Sequence, residues 1–343
     1  MELDRRKQSL LRAIVVTYVE RAEPVGSQWL AEQQNLGVRS ATIRNELAEM
    51  TDLGYLRQPH TSAGRVPSDR GYRYYVDRIM AWHPLSRAGA KSVRNSLAVH
   101  EGDVEQLLQQ TCRILSSLTR YTSVATPPQG PAPRVHEVYV TQLDRQRLLA
   151  VVILDNGRVI HRFADPTRPL TPSEAVRVGN ALDSALKDRG VQLLPEVLAP
   201  AEQLGALDGV VAQLYQTIRA AVEDECEGEL YLTGASRILE QPEFREANRV
   251  EPLIRLLEER KSAYLTLRSV LREERLAVSI GRENAHEALH EVSLVAARYS
   301  AGADRHGWVG VLGPTRMQYE SAVSAVEFVA RTLTQTLSRF EGS

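Results

Sequence analysis

Within the first eighty residues, helical periodicity is broken so often by glycine and proline that the segment can close only as a few short helices ending in a β-ribbon. Leu10, Leu11, Ile14, Val15, Tyr18 and Val19 recur at helical spacing and predict an amphipathic helix with one buried face. It stops before Pro24 and Gly26. Ser27 is placed to cap a second helix carrying Trp29, Leu30 and Ala31, which Asn35-Leu36-Gly37 ends in a turn. Ser40 is placed to cap a third. There Ile43, Leu47 and Met50 share one face, while Ala41, Thr42, Arg44, Asn45, Ala48 and Glu49 point away from it. Gly54 terminates this helix. Residues 55–58 suit a strand, 59–64 a loop and 65–67 a return toward a helix capped by Ser68. Three helices followed by strand, loop and strand describe a winged helix-turn-helix.

A chain of 343 residues needs two or three compact units, and 43% apolar against 25% charged residues suffices for sizeable cores. Its apolar runs are too short to span a bilayer, and residues 1–12 mix acids and bases where a signal peptide needs an apolar segment, so a cytoplasmic protein with no membrane partner is expected. Cys112 and Cys226 stand alone, which excludes a disulfide framework or a cysteine zinc site and predicts two buried small hydrophobes. A helical stretch over 87–122 leads into a connector at 125–134 with Pro127, Pro128, Pro131 and Pro133. Residues 147–154 and 158–164 form a hairpin about Asn156-Gly157. Thr171-Pro172-Ser173-Glu174 opens a helix with a capping box, and Leu207, Val210, Val211, Leu214, Tyr215, Ile218 and Val222 form the face of another. Strands follow at 230–233, 276–280, 292–299 and 308–312, and a final helix at 318–340. A sheet begun before Thr171 and resumed after Leu230 makes the intervening helices an insertion.

The formal net charge is −1, yet between Leu53 and Val76 the bases Arg57, Arg65, Arg70 and Arg73, with His60, face one acid, Asp69. Major-groove reading needs a helix whose first outward residues are short and polar. Arg44 suits the O6 and N7 of guanine, Asn45 the N6 and N7 of adenine, and Ser40 and Thr42 a phosphate at the helix start. In the loop His60, Thr61, Ser62 and Arg65 surround Ala63-Gly64, small enough for backbone to approach DNA closely.

Several longer stretches carry a resemblance: Val25-Gly26-Ser27, Ala41-Thr42-Ile43-Arg44-Asn45-Glu46, Gly54-Tyr55-Leu56, Pro59-His60-Thr61-Ser62-Ala63-Gly64-Arg65 and Gly71-Tyr72-Arg73-Tyr74-Tyr75-Val76. Ile280-Gly281-Arg282-Glu283-Asn284, Ser293-Leu294-Val295 and Gly310-Val311-Leu312-Gly313-Pro314-Thr315-Arg316-Met317-Gln318-Tyr319 agree with them. Together they resemble the bacterial heat-inducible transcription repressor family HrcA. The resemblance implies an α+β multidomain fold: a winged-helix DNA-binding domain over 1–82, a GAF-like α/β domain in two parts over 83–165 and 229–343, and an inserted helical dimerisation domain over 166–228. It implies a homodimer that represses heat-shock (chaperone) operons by binding double-stranded DNA at the inverted-repeat CIRCE operator. It further implies that heat stress relieves repression through chaperonin-linked loss of active repressor, with GroEL as the partner. The expected DNA-binding residues are Ser40, Thr42, Arg44, Asn45, Arg57, His60, Thr61, Ser62 and Arg65, with no catalytic residue, cofactor or metal.

Other motifs are weaker. His286-Glu287-Ala288-Leu289-His290 matches HExxH, but Ser293 and Ala296 stand where an extended zinc motif needs Gly and His, and the space between flanking strands is short. A short polar helix is expected there instead. Gly234-Ala235-Ser236-Arg237-Ile238 lacks the last glycine of a nucleophile elbow. Residues 310–313 read as a tight turn before a helix opened by Pro314 rather than a phosphate cradle. A GAF-like domain also admits a ligand-responsive regulator, although no polar constellation marks a ligand.

Overall fold

The computed structural model describes residues 3–33, 39–98, 103–130, 133–144, 147–155, 157–166, 168–190, 194, 205–226, 230–271 and 275–340. They form two compact units, Met1–Pro128 with Glu229–Ser343, and Gln129–Gly228. Asn35-Leu36-Gly37 and Asn156 lie outside the described residues.

The first unit begins with α1 (Arg5–Arg21), α2 (Ser27–Gln33), α3 (Ser40–Asp52), β1 (Leu56–Arg57), β2 (Val66–Pro67) and α4 (Asp69–Tyr74), which runs on as one π-helical turn over Tyr75–Ile79. α5 (Arg87–Ala98), α6 (Val104–Thr119) and β3 (Thr122–Ala125) follow. The second unit contains β4 (Val135–Gln142), β5 (Leu148–Leu154), β6 (Val159–Ala164), α7 (Pro172–Leu186) and α8 (Asp208–Cys226). The chain then re-enters the first unit through β7 (Tyr231–Thr233), α9 (Ser236–Leu239), α10 (Ala247–Glu258), α11 (Arg260–Val270), β8 (Leu276–Ile280), β9 (Val292–Ala301), β10 (Arg305–Pro314) and α12 (Tyr319–Phe340).

The central sheet of the first unit has the order β7-β3-β10-β9-β8, and all its pairs are antiparallel. Alternation along β9 sends Val295, Ala297 and Tyr299 to one face and Leu294 and Ala296 to the other, where α10 and α11 cover them. The first face shares its core with α1, α3, α5, α6 and α12. Both faces are covered, which is why β9 reads as a nearly unbroken apolar run. Gly310 lies inside β10 rather than in a turn. A Cβ there would sit 2.6 Å from Ala296 Cβ, so glycine permits the strands to close, and Pro314 ends β10 instead of opening a helix.

The expected domain boundaries need correction. The hairpin β5–β6 does not share a sheet with the strands after Leu230; it joins β4 in a separate three-stranded sheet, order β4-β5-β6, covered on one face by α7 and α8. The insertion therefore starts at Gln129 and contains strands as well as helices. What holds the outer sheet together before the insertion is β3. It escapes notice because Thr122 and Ser123 are polar, yet both are buried, their hydroxyls donating to Gly234 O at 2.9 Å and Gly310 O at 3.1 Å.

In the insert, Ala175, Val178, Leu182 and Leu186 of α7 pack on β4, and Gly179 allows an approach that would put a Cβ 3.0 Å from Val140 N. The capping box is present. Thr171 Oγ1 accepts from Glu174 N at 3.3 Å and Glu174 Oε2 from Thr171 N at 2.8 Å. Arg168 adds an ion pair at 2.9 Å, and these partners pull the Glu174 carboxyl down to about 2 from 4.5. A carboxyl depressed in the folded state stabilises fully above its unfolded value and loses that contribution as pH falls through the folded one. The cap is therefore expected to weaken between pH 4.5 and about 2. Carboxyl NMR titration should give Glu174 a midpoint near the lower figure; a midpoint at 4.5 would refute the capping geometry.

The other face of the insert sheet is open. Tyr139, Val159 and Phe163 are 52%, 60% and 53% exposed, and Leu149, Val151 and Ile153 lie half-buried between them. The register places Tyr139 beside Val151, Leu149 beside Phe163 and Ile153 beside Val159, a largely apolar surface that also carries Glu137, Thr141 and, beside Val151, His161.

Candidate nucleic-acid interface

Helix α3 ends in a Schellman turn. Gly54, at φ 78°, donates to Thr51 O at 2.9 Å and Tyr55 to Met50 O at 2.9 Å. This stop directs the chain into β1, where Leu56 pairs with Pro67 and Arg57 with Val66 of β2. Val25, between α1 and α2, extends the ribbon by exchanging backbone hydrogen bonds of 2.9 and 2.8 Å with Arg65. Gly64 is needed at this crossing because a Cβ would lie 2.4 Å from Val25 O.

On α3, Ile43, Leu47 and Met50 are buried, whereas Ala41, Thr42, Arg44, Asn45, Ala48 and Glu49 are exposed. The polar edge expected from spacing thus faces solvent. Ser40 behaves differently. It is the first residue of the helix rather than its cap; Arg39 holds the cap position without a side-chain hydrogen bond, and Ser40 Oγ lies 3.2 Å from Ser27 Oγ. Ser27 likewise starts α2 instead of capping it, so the two hydroxyls join one helix start to the other.

Arg57, His60, Thr61 and Ser62 are exposed along β1 and the loop. Gln58, which the sequence reading passed over, organises that loop by donating from Nε2 to Thr61 O at 2.8 Å and Ala63 O at 3.0 Å. Arg65 is half-buried, its Nε held by Thr51 Oγ1 at 2.9 Å, which ties the ribbon to the last turn of α3. Arg70 stacks on Tyr55, 4.6 Å from the ring centroid, and donates to Leu53 O at 2.8 Å. Arg73 leaves the basic cluster altogether, pairing with Glu283 at 2.6 Å and Asp77 at 3.2 Å.

Two of the three acids of α3 are held from α1. Lys7 Nζ meets Glu49 at 2.5 Å, and Arg6 Nε meets the buried Glu46 at 2.5 Å. Glu46 stands on the stripe Ile43, Leu47, Met50 at helical spacing, a signal of its burial already present in the sequence. Its Oε2 has no hydrogen-bond partner, so Arg6 supplies most of what stabilises the charge. Arg6→Ala is expected to lower unfolding free energy by about 1 to 2 kcal/mol, discounted because Arg6 is half-exposed, and Glu46→Gln in that background should recover much of it. Urea melts of the two variants check this, and an unaltered midpoint in Arg6→Ala would count against it.

The HExxH residues do not form a helical ligand pair. Glu287–Leu289 is one 3₁₀ turn rather than a stretch of α-helix, and His286 Nδ1 accepts from Ala288 N at 3.2 Å. Cys112 is buried between α6 and the sheet, its thiol pushed up to about 12 by desolvation. Cys226 lies in α8, its side chain outside the described set. No helix among the described residues is long and apolar enough to cross a membrane.

Comparison with known proteins bears on this site. The profile of the HrcA protein C-terminal domain matches residues 105–323. The heat-inducible transcription repressor HrcA of Pelotomaculum thermopropionicum is 38% identical over 99% of this chain and 98% of its own length. The repressors of the same name from Brevibacillus brevis and Moorella thermoacetica are each 35% identical over 99% of both chains. A crystal structure described as that of a hypothetical protein superposes with a TM-score of 0.60 at 21% identity, covering 99% of this chain and 100% of that one, which establishes a shared fold. These relatives define the class: the chain is a repressor of transcription, not an enzyme. It belongs to the HrcA family of heat-inducible transcription repressors.

Proposed function

We propose that the chain represses chaperone operons by binding, as a homodimer, the inverted-repeat CIRCE operator. In this reading residues 1–82 are a winged helix-turn-helix with α3 as recognition helix and the β1–β2 ribbon as wing. The carrying observation is the edge of α3, where Thr42, Arg44 and Asn45 stand exposed at the helix start while the neighbouring acids are held by Arg6 and Lys7. Arg44 and Asn45 contact base edges; Ser40, Thr42, Arg57, His60, Thr61, Ser62 and Arg65 contact backbone phosphates. The five-stranded sheet with helices on both faces is the GAF-like domain. The insert pairs two copies through its open apolar sheet face, since an isologous contact needs one self-complementary patch and this face supplies it.

Membership of a family of heat-inducible repressors supports the thermal part of this reading. Warming depopulates the binding-competent dimer, and the chaperonin GroEL restores it when free of other clients, both in the cytoplasm. Gel-shift titration of the full chain tests the reading: an inverted repeat from the chaperone promoters should be retained in the presence of scrambled competitor, and equal binding to both would refute it. Operator binding that stays constant through the heat-shock range, with and without chaperonin, would remove the thermal part.

A further inference from the structure

We propose that Asp69 and Arg73 of α4 are positioning residues, which lock the orientation of α3 on the central sheet so that two half-sites are read at one spacing. The proposal rests on the inverted-repeat reading above.

Two motifs from the distant part of the chain meet α4 and its π-helical continuation. At the first, Asp69 Oδ2 accepts from Arg282 N at 3.1 Å, and Gly281, at φ 53°, has no room for a side chain because a Cβ would lie 2.6 Å from that same oxygen. Arg73 grips Glu283 with both arms of its guanidinium, Nε to Oε1 at 2.9 Å and Nη2 to Oε2 at 2.6 Å, and donates to Val278 O at 2.5 Å. Glu283 is itself fixed by Ile280 N at 2.9 Å. A bidentate pair is directional, so it sets an angle as well as a distance. At the second motif, Tyr75 donates to Glu320 Oε1 at 2.7 Å, and Arg316 pairs with Glu243 at 2.5 Å while donating to Val19 O at the end of α1.

None of these groups lies on the exposed edge of α3, yet α4 is rigidly joined to it. Ser68, the cap of α4, donates to Gly54 O at 2.6 Å in the stop of α3 and receives Gly71 N at 3.0 Å. At Gly71 a Cβ would lie 2.1 Å from Tyr55 O, so α4 and the α3 stop touch backbone to backbone. An angle imposed on α4 at Glu283 is thereby imposed on α3. Once the seam is cut, each module keeps its own contacts with a half-site, but the two no longer present a single separation.

The test uses the full-length dimer with Arg73→Ala and the exchange Arg73→Glu with Glu283→Arg. Gel shifts are run on the inverted repeat, on repeats with one or two base pairs added or removed at the centre, and on a single half-site. The parent should prefer the native spacing by about 10²- to 10⁴-fold, the advantage of engaging two sites at once. Arg73→Ala should reduce that preference to about threefold or less with half-site affinity unchanged, and the exchange should restore it. A second readout needs no DNA. With Cys112→Ala and Cys226→Ser as background, and the labelled chain diluted into excess unlabelled chain so that a dimer carries one labelled copy, spin labels at the exposed positions Ser9 and Ser338 should report one narrow distance in the parent, a broad distribution in Arg73→Ala, and a narrow one again in the exchange. An unchanged spacing preference, a loss of half-site binding, an exchange that rescues nothing, or an equally narrow distance distribution in Arg73→Ala would each overturn the proposal. If the parent shows no preference for symmetric DNA, the operator reading fails, and the label distances still decide the seam.

Discussion

Replacing Arg44 with alanine is expected to cost about 1 to 3 kcal/mol per half-site, hence about 2 to 6 kcal/mol for a dimer that engages both, and to relax base preference at one symmetric pair of positions. Arg44 is exposed one turn from the start of α3. Its removal leaves the apolar stripe of Ile43, Leu47 and Met50 intact, so stability should scarcely change. Arg57→Ala provides the contrast. If that side chain meets a phosphate, affinity should fall to a similar degree on every sequence, and the slope of log affinity against log salt should decrease by about 1 per half-site. Binding titrations on the operator and on base-substituted variants, at several salt concentrations, separate the two behaviours. Unchanged operator affinity in Arg44→Ala would take this residue out of the interface.

A double substitution on the open sheet face, Tyr139→Glu with Phe163→Glu, is expected to halve the mass in solution and to reduce operator affinity by about 10²- to 10⁴-fold, because a monomer engages only one half-site. Both side chains are more than half exposed, and neither contributes to the core beneath α7 and α8. The secondary structure should therefore persist, while four carboxylates placed at the paired faces repel and resist desolvation. Sedimentation equilibrium and circular dichroism read the two parts separately. A variant that remains dimeric would move the interface elsewhere.

Much of the exposed edge of α3 is legible in the sequence because its signals are local. The stripe Ile43, Leu47, Met50 closed by Gly54, and the ribbon about Ala63-Gly64, depend on residues a few positions apart. Elements whose reasons lie far along the chain were not legible. β3 looks too polar until Gly234 O and Gly310 O are placed beside its hydroxyls. β4 alternates through Val138 and Val140, but a bulge near Glu137 and the preceding prolines mask the period. Without β3 and β4 in view, the hairpin β5–β6 has no visible partner but the strands after Leu230, and the insertion starts at Gln129 rather than at 166. Arg73 illustrates the same limit at the site. Local charge counting places it in the basic cluster between Leu53 and Val76, whereas its partner Glu283 is 210 residues away.

The contact between Arg316 and Val19 closes a loop of 297 residues, and α12 contributes to the same core as α1. Ribosomal synthesis at about 5–20 residues per second releases α1 to α4 well before the segment that completes their packing. During that interval the part of their shared core that α12 supplies is missing, and contacts of such separation form slowly. A newly made copy is thus exposed to aggregation before it can regulate anything. The time a new copy takes to mature is therefore bounded by the closure of that loop, which no segment released earlier can hasten.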